Sequence, residues 1–377
     1  MDVMRPELKW VDGCCFRINV VDPSICQEEK VPTYSRNLQE YDDEPECLAN
    51  PAIDNVQIVC DDTGKFTASL HVASAYFPLI IGSRGTTRKR LETETRTHIF
   101  IPKMGQEGDI KIKGLDHKGV SAACRRIGLI VMSSRQRQAF THFLSLSMAG
   151  EEIQKYFLQF KKDVLEACRD SRGICESVFQ REQKLHLTLG TLALLDKVER
   201  EQAAKTLEDA FTDVIIPLLE GRSLKVQMKG LEYMNDDPAE VDVLYGQVQV
   251  VDGNGGSEDI LQKLADDVAA YFTQKGFMQK EYDRVKLHVT LMNTIFRKEE
   301  EGVSEGLRPG EENDGPPRRG KPPPLRKARE TFDARSILEK FQDYYFGEQV
   351  IDTLHLSQRY STGKNGYYQS TAKIILT

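Results

Sequence analysis

Two short segments carry the residues best suited to chemistry: Lys184-Leu185-His186-Leu187-Thr188-Leu189 and Lys286-Leu287-His288-Val289-Thr290-Leu291. They are identical at five of six positions and begin 102 residues apart. Side chains alternate between the faces of a β-strand, so each histidine shares a face with the threonine two residues on, while the leucines and the valine point the other way into a core. Two related strands can then present two imidazole and hydroxyl pairs to one cleft. An imidazole with an ordinary pKa of about 6.5 serves as base or acid near neutrality. One histidine would deprotonate water or a ribose 2′-hydroxyl, and the other would protonate the leaving oxygen of a phosphodiester. The hydroxyls of Thr188 and Thr290 would donate hydrogen bonds to the non-bridging oxygens as charge builds. The expected catalytic residues are therefore His186, Thr188, His288 and Thr290. His355-Leu356-Ser357 has a similar form but lacks the Lys-Leu prefix, and is read as structural. No His or Cys stands at metal-ligand spacing from either motif, so neither a metal nor a cofactor is expected.

A second constellation is Gly82-Ser83-Arg84-Gly85, followed by Arg88, Lys89 and Arg90. Glycines permit a tight turn whose backbone can approach a phosphate, and the helix after it offers its N-terminus to that anion. The basic residues would screen a nucleic-acid backbone. An ordinary helix turn on a solvated basic face is the alternative reading of these residues alone.

The elements that must position these residues follow from periodicity. Residues 66–72 alternate as a strand, an apolar stretch runs over 75–81, a helix over 86–96, strands over 98–102 and 109–114, and a helix over 117–132. Further on, strands are expected at 141–148, 184–194, 226–234, 241–251 and 286–296, with helices at 151–168, 197–219 and 259–275. Residues 253–256, Gly-Asn-Gly-Gly, read as a turn. A helix near 336–345 precedes closing strands at 350–357 and 367–376.

The paired hexamers resemble the signature of the two-histidine phosphoesterase superfamily, which includes 2′-5′ RNA ligase-like and cyclic-phosphodiesterase-like proteins. The resemblance covers residues 137–377, with Thr141-His142-Phe143-Leu144 as the opening strand and 354–370 similar to the closing region of anchoring-protein phosphoesterase domains. It implies a bilobal fold with the histidines facing across a groove, and substrates that are 2′,3′-cyclic, 2′-5′-linked or 3′-terminal phosphodiesters of RNA. Some members bind nucleotides without turnover. Tyr367 and Tyr368, in the closing region, are candidates for base stacking or for lining the groove. Residues 58–134 resemble a type I KH domain, a module that clamps about four single-stranded nucleotides. Arg88 stands where that family usually has an aliphatic residue, and Arg96 where a glycine commonly ends the second helix. Gly82, Ser83, Arg84, Gly85, Arg88, Lys89 and Arg90 are accordingly the expected RNA-binding residues. The whole order is similar to the subunit-one family of the activating signal cointegrator complex. That resemblance implies nuclear proteins, with a cytoplasmic pool left open, which associate with helicase-containing complex subunits and bear on transcription and alkylation-damage repair.

Charge, resolved along the chain, agrees with this division. The chain of 377 residues has a net charge of -7, which by itself argues against a nucleic-acid partner. Residues 1–57 carry five basic and twelve acidic side chains, but 58–134 carry twelve basic and seven acidic. Residues 1–57 read as an acidic, largely flexible arm, with Trp10 as a partner-docking point or a plain hydrophobic anchor. Residues 298–329 read as a disordered insertion whose basic half could be a nuclear localisation signal, an RNA-contacting flap or merely solvated chain. The eight cysteines include no C-x-x-C pair, which fits a reducing compartment with structural thiols. No apolar run is long enough for a membrane span and no signal peptide is evident, so a soluble intracellular protein without a membrane partner is expected.

The sequence thus predicts an α+β protein with a type I KH domain followed by a bilobal two-histidine phosphoesterase domain. Three functions stand: a metal-independent phosphodiesterase acting on single-stranded RNA ends, a non-catalytic RNA-binding adaptor that recognises phosphate termini, and a protein-interaction scaffold.

Overall fold

The computed structural model describes residues 7–11, 14–18, 56–62, 64–103, 106, 108–135, 137–251, 260–278, 283–297 and 330–376. The chain forms two units, Met1–Leu48 and Ala49–Thr377. In the first, β1 (Glu7–Val11) pairs antiparallel with β2 (Cys14–Ile18), Val11 opposite Cys14. No element was expected here, although Asp12-Gly13 between the strands is a two-residue hairpin signal. Trp10 lies on β1 opposite Cys15. Of the rest of the expected acidic arm only residues 56–57 are described, and the insertion at 298–329 and the turn at 253–256 fall outside the described residues.

The second unit begins with β3 (Ile58–Cys60) and β4 (Phe66–Leu70), then α1 (Phe77–Ile81), α2 (Thr86–Thr95), β5 (Thr97–Phe100), β6 (Ile110–Gly114) and α3 (His117–Arg135). The antiparallel sheet has the order β3-β4-β6-β5. Ile99, Ile110 and Ile112 alternate inward and meet the α3 stripe of Val120, Ala123, Cys124 and Ile127, all buried. Each such aliphatic side chain contributes about 1.5–3 kcal/mol on removal from water. Between α1 and α2 the chain turns through left-handed residues at Gly82 (φ 72), Arg84 (φ 53) and Gly85 (φ 78). A Cβ on Gly82 would overlap the Thr87 side chain, so only glycine fits there. Arg96 takes the left-handed cap of α2 (φ 53), and its N–H donates to the Glu92 carbonyl. An arginine therefore occupies the conformation that usually selects glycine.

Beyond Arg135 come β7 (His142–Ser147), α4 (Glu151–Ala167), β8 (His186–Leu192) and α5 (Lys197–Ala210). They are followed by β9 (Leu224–Tyr233), β10 (Val243–Val250), α6 (Ile260–Gln274), β11 (Val289–Asn293), α7 (Arg335–Phe341), β12 (Tyr345–Ile351), β13 (Thr353–Gln358) and β14 (Ser370–Ile375). These strands form one antiparallel sheet in the order β12-β9-β10-β11-β8-β7-β13-β14. It is two four-stranded halves joined between β11 and β8, the strands of the two hexamers. Its core is separate from that of the first sheet. In α4, Ile153, Phe157, Phe160 and Val164 recur at helical spacing, and all are buried.

Several expectations need correction, among them the closing strand expected over 367–376, which begins only at Ser370, and β3, which was not expected. The helix expected over 197–219 is interrupted by a π turn at Phe211–Ile215 before Ile216–Leu219. The strand expected over 286–296 begins only at Val289, so His288 lies just ahead of it, and a 3₁₀ turn takes Thr294–Phe296. Finally, β12 was missed, because Gly347 (φ 115) sits at a register shift that breaks its alternation.

The small sheet is held to the large one by charged contacts. His71, just past β4, places Nδ1 3.2 Å from Asp109 and Nε2 2.9 Å from Asp196, the N-cap of α5. Arg135, at the end of α3, pairs with the buried Glu199 of α5 and donates to the Gly276 carbonyl at 2.8 Å. Removing one partner of a buried pair costs about 3–5 kcal/mol. Arg135→Ala should therefore loosen the seam, read as faster proteolysis at residues 136–140 with a lowered Tm; an unchanged cleavage rate would show that the pair does not hold it.

Candidate functional site

The two halves of the large sheet meet through one register pair, Val289 opposite Leu187. These are the middle residues of the two His-x-Thr triplets. Because the strands are antiparallel, extending that register by one residue sets His186 across from Thr290 and Thr188 across from His288. All four lie on the face opposite the buried Leu187 and Val289, and all are half-buried rather than enclosed in a core. The sheet thus brings the four expected catalytic residues together as a crossed square.

The duplication extends to the neighbouring strands. Thr188 is paired with Ser145 on β7 and Thr290 with Tyr245 on β10, and a register shift follows at the same place in each, between Leu144 and Ser145 and between Leu244 and Tyr245. Such bulges re-aim side chains beside a site.

Both imidazoles are held in the same way. His186 Nδ1 lies 2.7 Å from the Lys184 carbonyl, and His288 Nδ1 lies 2.7 Å from the Lys286 carbonyl. A carbonyl only accepts, so each Nδ1 carries the proton and, in the neutral ring, leaves a lone pair on Nε2. Burial, partly offset by the Lys184 carbonyl, pushes His186 down to about 4, and the nearby His288 and Lys184 act in the same direction. Burial likewise lowers His288, again opposed by its carbonyl bond. Two neutral imidazoles, each with its Nε2 lone pair, therefore stand on one face of the sheet near neutral pH.

Aromatic rings and lysines complete the surroundings. His186 is packed by Phe143 (5.2 Å between ring centroids) and Tyr368 (5.3 Å), whereas His288 has Tyr245 at 5.4 Å. Lys184 Nζ lies 4.6 Å from the Tyr368 ring centre and Lys286 Nζ 5.0 Å from that of Tyr245. Each half thus repeats a lysine, tyrosine and histidine. Tyr368 lines the groove, but Tyr367 cannot stack on a base: it is 4% exposed, and its hydroxyl donates to Ser145 at 3.0 Å. His355, on β13 opposite Ser145, has Nδ1 2.8 Å from the Ser370 hydroxyl, a partnered position outside the square. Reading the residues missed Tyr245 and Phe143, because register rather than spacing brings them to the histidines. Among the described residues, no group of three His, Cys, Asp or Glu is placed to hold a metal ion.

The second constellation lies on the small sheet's helices, apart from this groove. Ser83, Arg84, Lys89 and Arg90 are exposed, and Gly85 caps α2. Arg88 and Arg90 approach Glu92 and Glu94 one turn on, at 3.9 and 4.0 Å. The exposed Arg90–Glu94 pair is worth only about 0.3–0.5 kcal/mol, whereas Arg88 and Glu92 are half-buried and Glu92 also accepts from the Ile99 N–H at 2.9 Å.

A model of the AKAP7 2′5′ RNA ligase-like domain matches residues 140–376, and a model of the KH domain matches residues 67–128. Activating signal cointegrator 1 complex subunit 1 from Mus musculus is 39% identical over 374 residues, which is 99% of each chain. The solution structure of the first KH type I domain of human vigilin is 24% identical, covers 22% of this chain and 89% of its own, and has a TM-score of 0.19. No helix among the described residues is long and apolar enough to cross a membrane.

The lowered imidazoles have a consequence for stability. Between about pH 6.5 and 4 the unfolded chain binds a proton on His186 that the folded chain refuses, so stability falls as pH drops through that window. His142, which burial also pushes down to about 4, adds to the same slope. His186→Gln should flatten the decline in urea midpoint from pH 6.5 to 4; an unaltered slope would mean that the ring is not held neutral.

Proposed function

The chain belongs to the family of activating signal cointegrator 1 complex subunit 1, with a KH domain ahead of an AKAP7 2′5′ RNA ligase-like domain, and from that premise we propose that it is an RNA-end phosphodiesterase. The observation that carries this reading is the crossed square: two imidazoles, each with Nδ1 tied to a carbonyl, set against two threonine hydroxyls through Val289 and Leu187.

The residues divide the work as follows. A phosphodiester seated between the histidines receives hydrogen bonds from Thr188 and Thr290. His186, the ring closed in by Phe143 and Tyr368, is the base, because its neutral form is the more strongly favoured. Its Nε2 takes the proton of water or of a ribose 2′-hydroxyl, and the developing imidazolium is steadied by the Lys184 carbonyl. His288, the more open ring with Tyr245 alone packed against it, is the acid. The phosphate's own negative charge raises its pKa, so that Nε2 becomes protonated and donates to the leaving oxygen. The KH turn at Gly82, Ser83, Arg84 and Gly85, with Arg88, Lys89 and Arg90, holds the single strand upstream of its end. A nuclear site of action, membership of a helicase-containing cointegrator assembly and a part in alkylation-damage repair complete the proposal, supported by the family relation.

The depression of both rings also favours a rival reading. Imidazoles that stay neutral cannot protonate a leaving oxygen, while the Thr188 and Thr290 hydroxyls can still donate to a phosphate terminus, as a non-catalytic adaptor requires.

Full-length protein incubated with short RNAs ending in 2′,3′-cyclic phosphate or 3′-hydroxyl, chelator present, decides between the two. Each of His186→Ala and His288→Ala should lower turnover by at least about 10² while RNA binding persists. Replacing Ser83 and Arg84 by Asp should instead weaken binding. Binding without cleavage by the wild-type chain would establish the adaptor.

A further inference from the structure

Next to the groove, the loop between β13 and β14 carries an exposed stack that neither motif predicts. The Arg359 guanidinium lies 3.8 Å from the centre of the Phe140 ring and 4.4 Å from that of Tyr360. Tyr360 is 84% exposed and holds a left-handed backbone, φ 59. For a bulky side chain that conformation costs about 1–3 kcal/mol and persists only where the surroundings impose it. Here they do. Arg359 N donates to the Thr141 carbonyl at 2.8 Å, and its guanidinium donates to the Phe140 carbonyl at 3.3 Å. The Ser361 hydroxyl donates to the Gln358 carbonyl at 2.7 Å and accepts from the Gln369 N–H at 2.9 Å. A large aromatic ring is thus kept in water on a hydrogen-bonded loop at a conformational cost, with a cation stacked under it.

The loop is bonded to the segment that opens the large-sheet domain and to the lysine beside His186. Phe140 and Thr141 follow closely on Arg135, where the KH helix α3 ends against Glu199. On the other side, Lys184 Nζ donates to the Ser361 carbonyl at 2.8 Å and to the Thr362 hydroxyl at 2.9 Å, and the same ammonium lies over Tyr368, which packs against His186. Contacts therefore run from Phe140 and Thr141 to Arg359 in this loop, and from Ser361 and Thr362 in the same loop to Lys184, Tyr368 and His186.

We propose that Tyr360, backed by Arg359 and Phe140, is a stacking step for one base of single-stranded RNA as the strand passes from the KH turn to the histidine groove. This rests on the reading of the chain as an RNA-binding phosphodiesterase. Every nucleobase has a π-face, so such a step is sequence-tolerant, and the guanidinium beneath the ring adds positive charge near the backbone. The loop is already ordered, so the strand alone loses freedom on binding.

The test uses the full chain and single-stranded oligoribonucleotides carrying 2-aminopurine at successive positions from the 3′ end. One position should show stacking quench in the wild type and in Tyr360→Phe, and lose it in Tyr360→Ala and Tyr360→Gly. The latter two should bind about fivefold to a hundredfold more weakly, the range lost with one base stack. Tyr360→Gly relaxes the left-handed residue, so its Tm should equal or exceed that of the wild type, which separates lost binding from lost folding. If Tyr360→Ala binds as the wild type does while the Ser83 and Arg84 to Asp variant is weakened, the stacking step is wrong and the phosphodiesterase reading stands. A loss in Tyr360→Phe as large as in Tyr360→Ala would also overturn it. If the wild-type chain binds none of these RNAs, the function reading falls and the stacking step with it.

Discussion

Leu187 and Val289 are bound by one backbone register, and the geometry of the groove depends on where that register falls. An antiparallel pair has a local two-fold axis through its matched residues. Here the axis passes midway between Leu187 and Val289, the centres of the two His-x-Thr triplets, so each imidazole meets the other copy's hydroxyl. A slip of one residue by either strand would turn that strand's side chains to the opposite face and bury its histidine among leucines. The apolar positions prevent this: Leu187, Leu189, Val289 and Leu291 are all buried, and their removal from water fixes the register that the chemistry requires.

The two halves are alike in backbone and unlike in enclosure, and that difference gives the groove a direction. Both histidines bond to the carbonyl two residues back, both lysines lie over a tyrosine, and both bulges sit beside the threonine. Yet Lys184 is also bonded to Ser361 and Thr362, and His186 has Phe143 as well as Tyr368 against it, while Lys286 is exposed. Desolvation acts on the more enclosed ring more strongly. A duplicated backbone can therefore carry two imidazoles of different proton affinity, as acid-base work across one phosphate requires.

What the sequence disclosed follows the range of the interactions involved. The hexamers were legible because strand alternation is local: His186 and Thr188 share a face whatever the strand pairs with. The KH unit was legible because its turn needs glycine at φ 72 and its strands alternate cleanly in Thr97, Ile99, Ile110 and Ile112. Tyr245 was hidden, since only the β10 and β11 register brings it to Thr290 and His288. Tyr367 and Tyr368 are adjacent in sequence and equally aromatic, but in the turn ahead of β14 one enters the core against Ser145 and the other packs on His186. The net charge of -7 was least informative, because it sums acidic and basic segments that no single ligand meets together.

The junction between the small and large sheets bears on how binding and chemistry are coupled. A KH domain on a free linker would present its bound strand to the groove at an effective concentration set by chain statistics. Here α3 ends in Arg135 paired to the buried Glu199, and His71 bridges Asp109 and the cap of α5, so the position is set by contacts rather than by a tether. Asp196 serves twice, accepting from Glu199 N as it caps α5 and pairing with His71. Glu199 likewise accepts from Leu195 N while it pairs with Arg135. The turn between β8, which carries His186, and α5 is thus built from the same carboxylates that receive the KH unit. Displacing that unit would free the residues that shape the end of the strand carrying His186, so under the proposed function the holding of RNA is tied to the geometry around the histidines through bonds of ordinary strength.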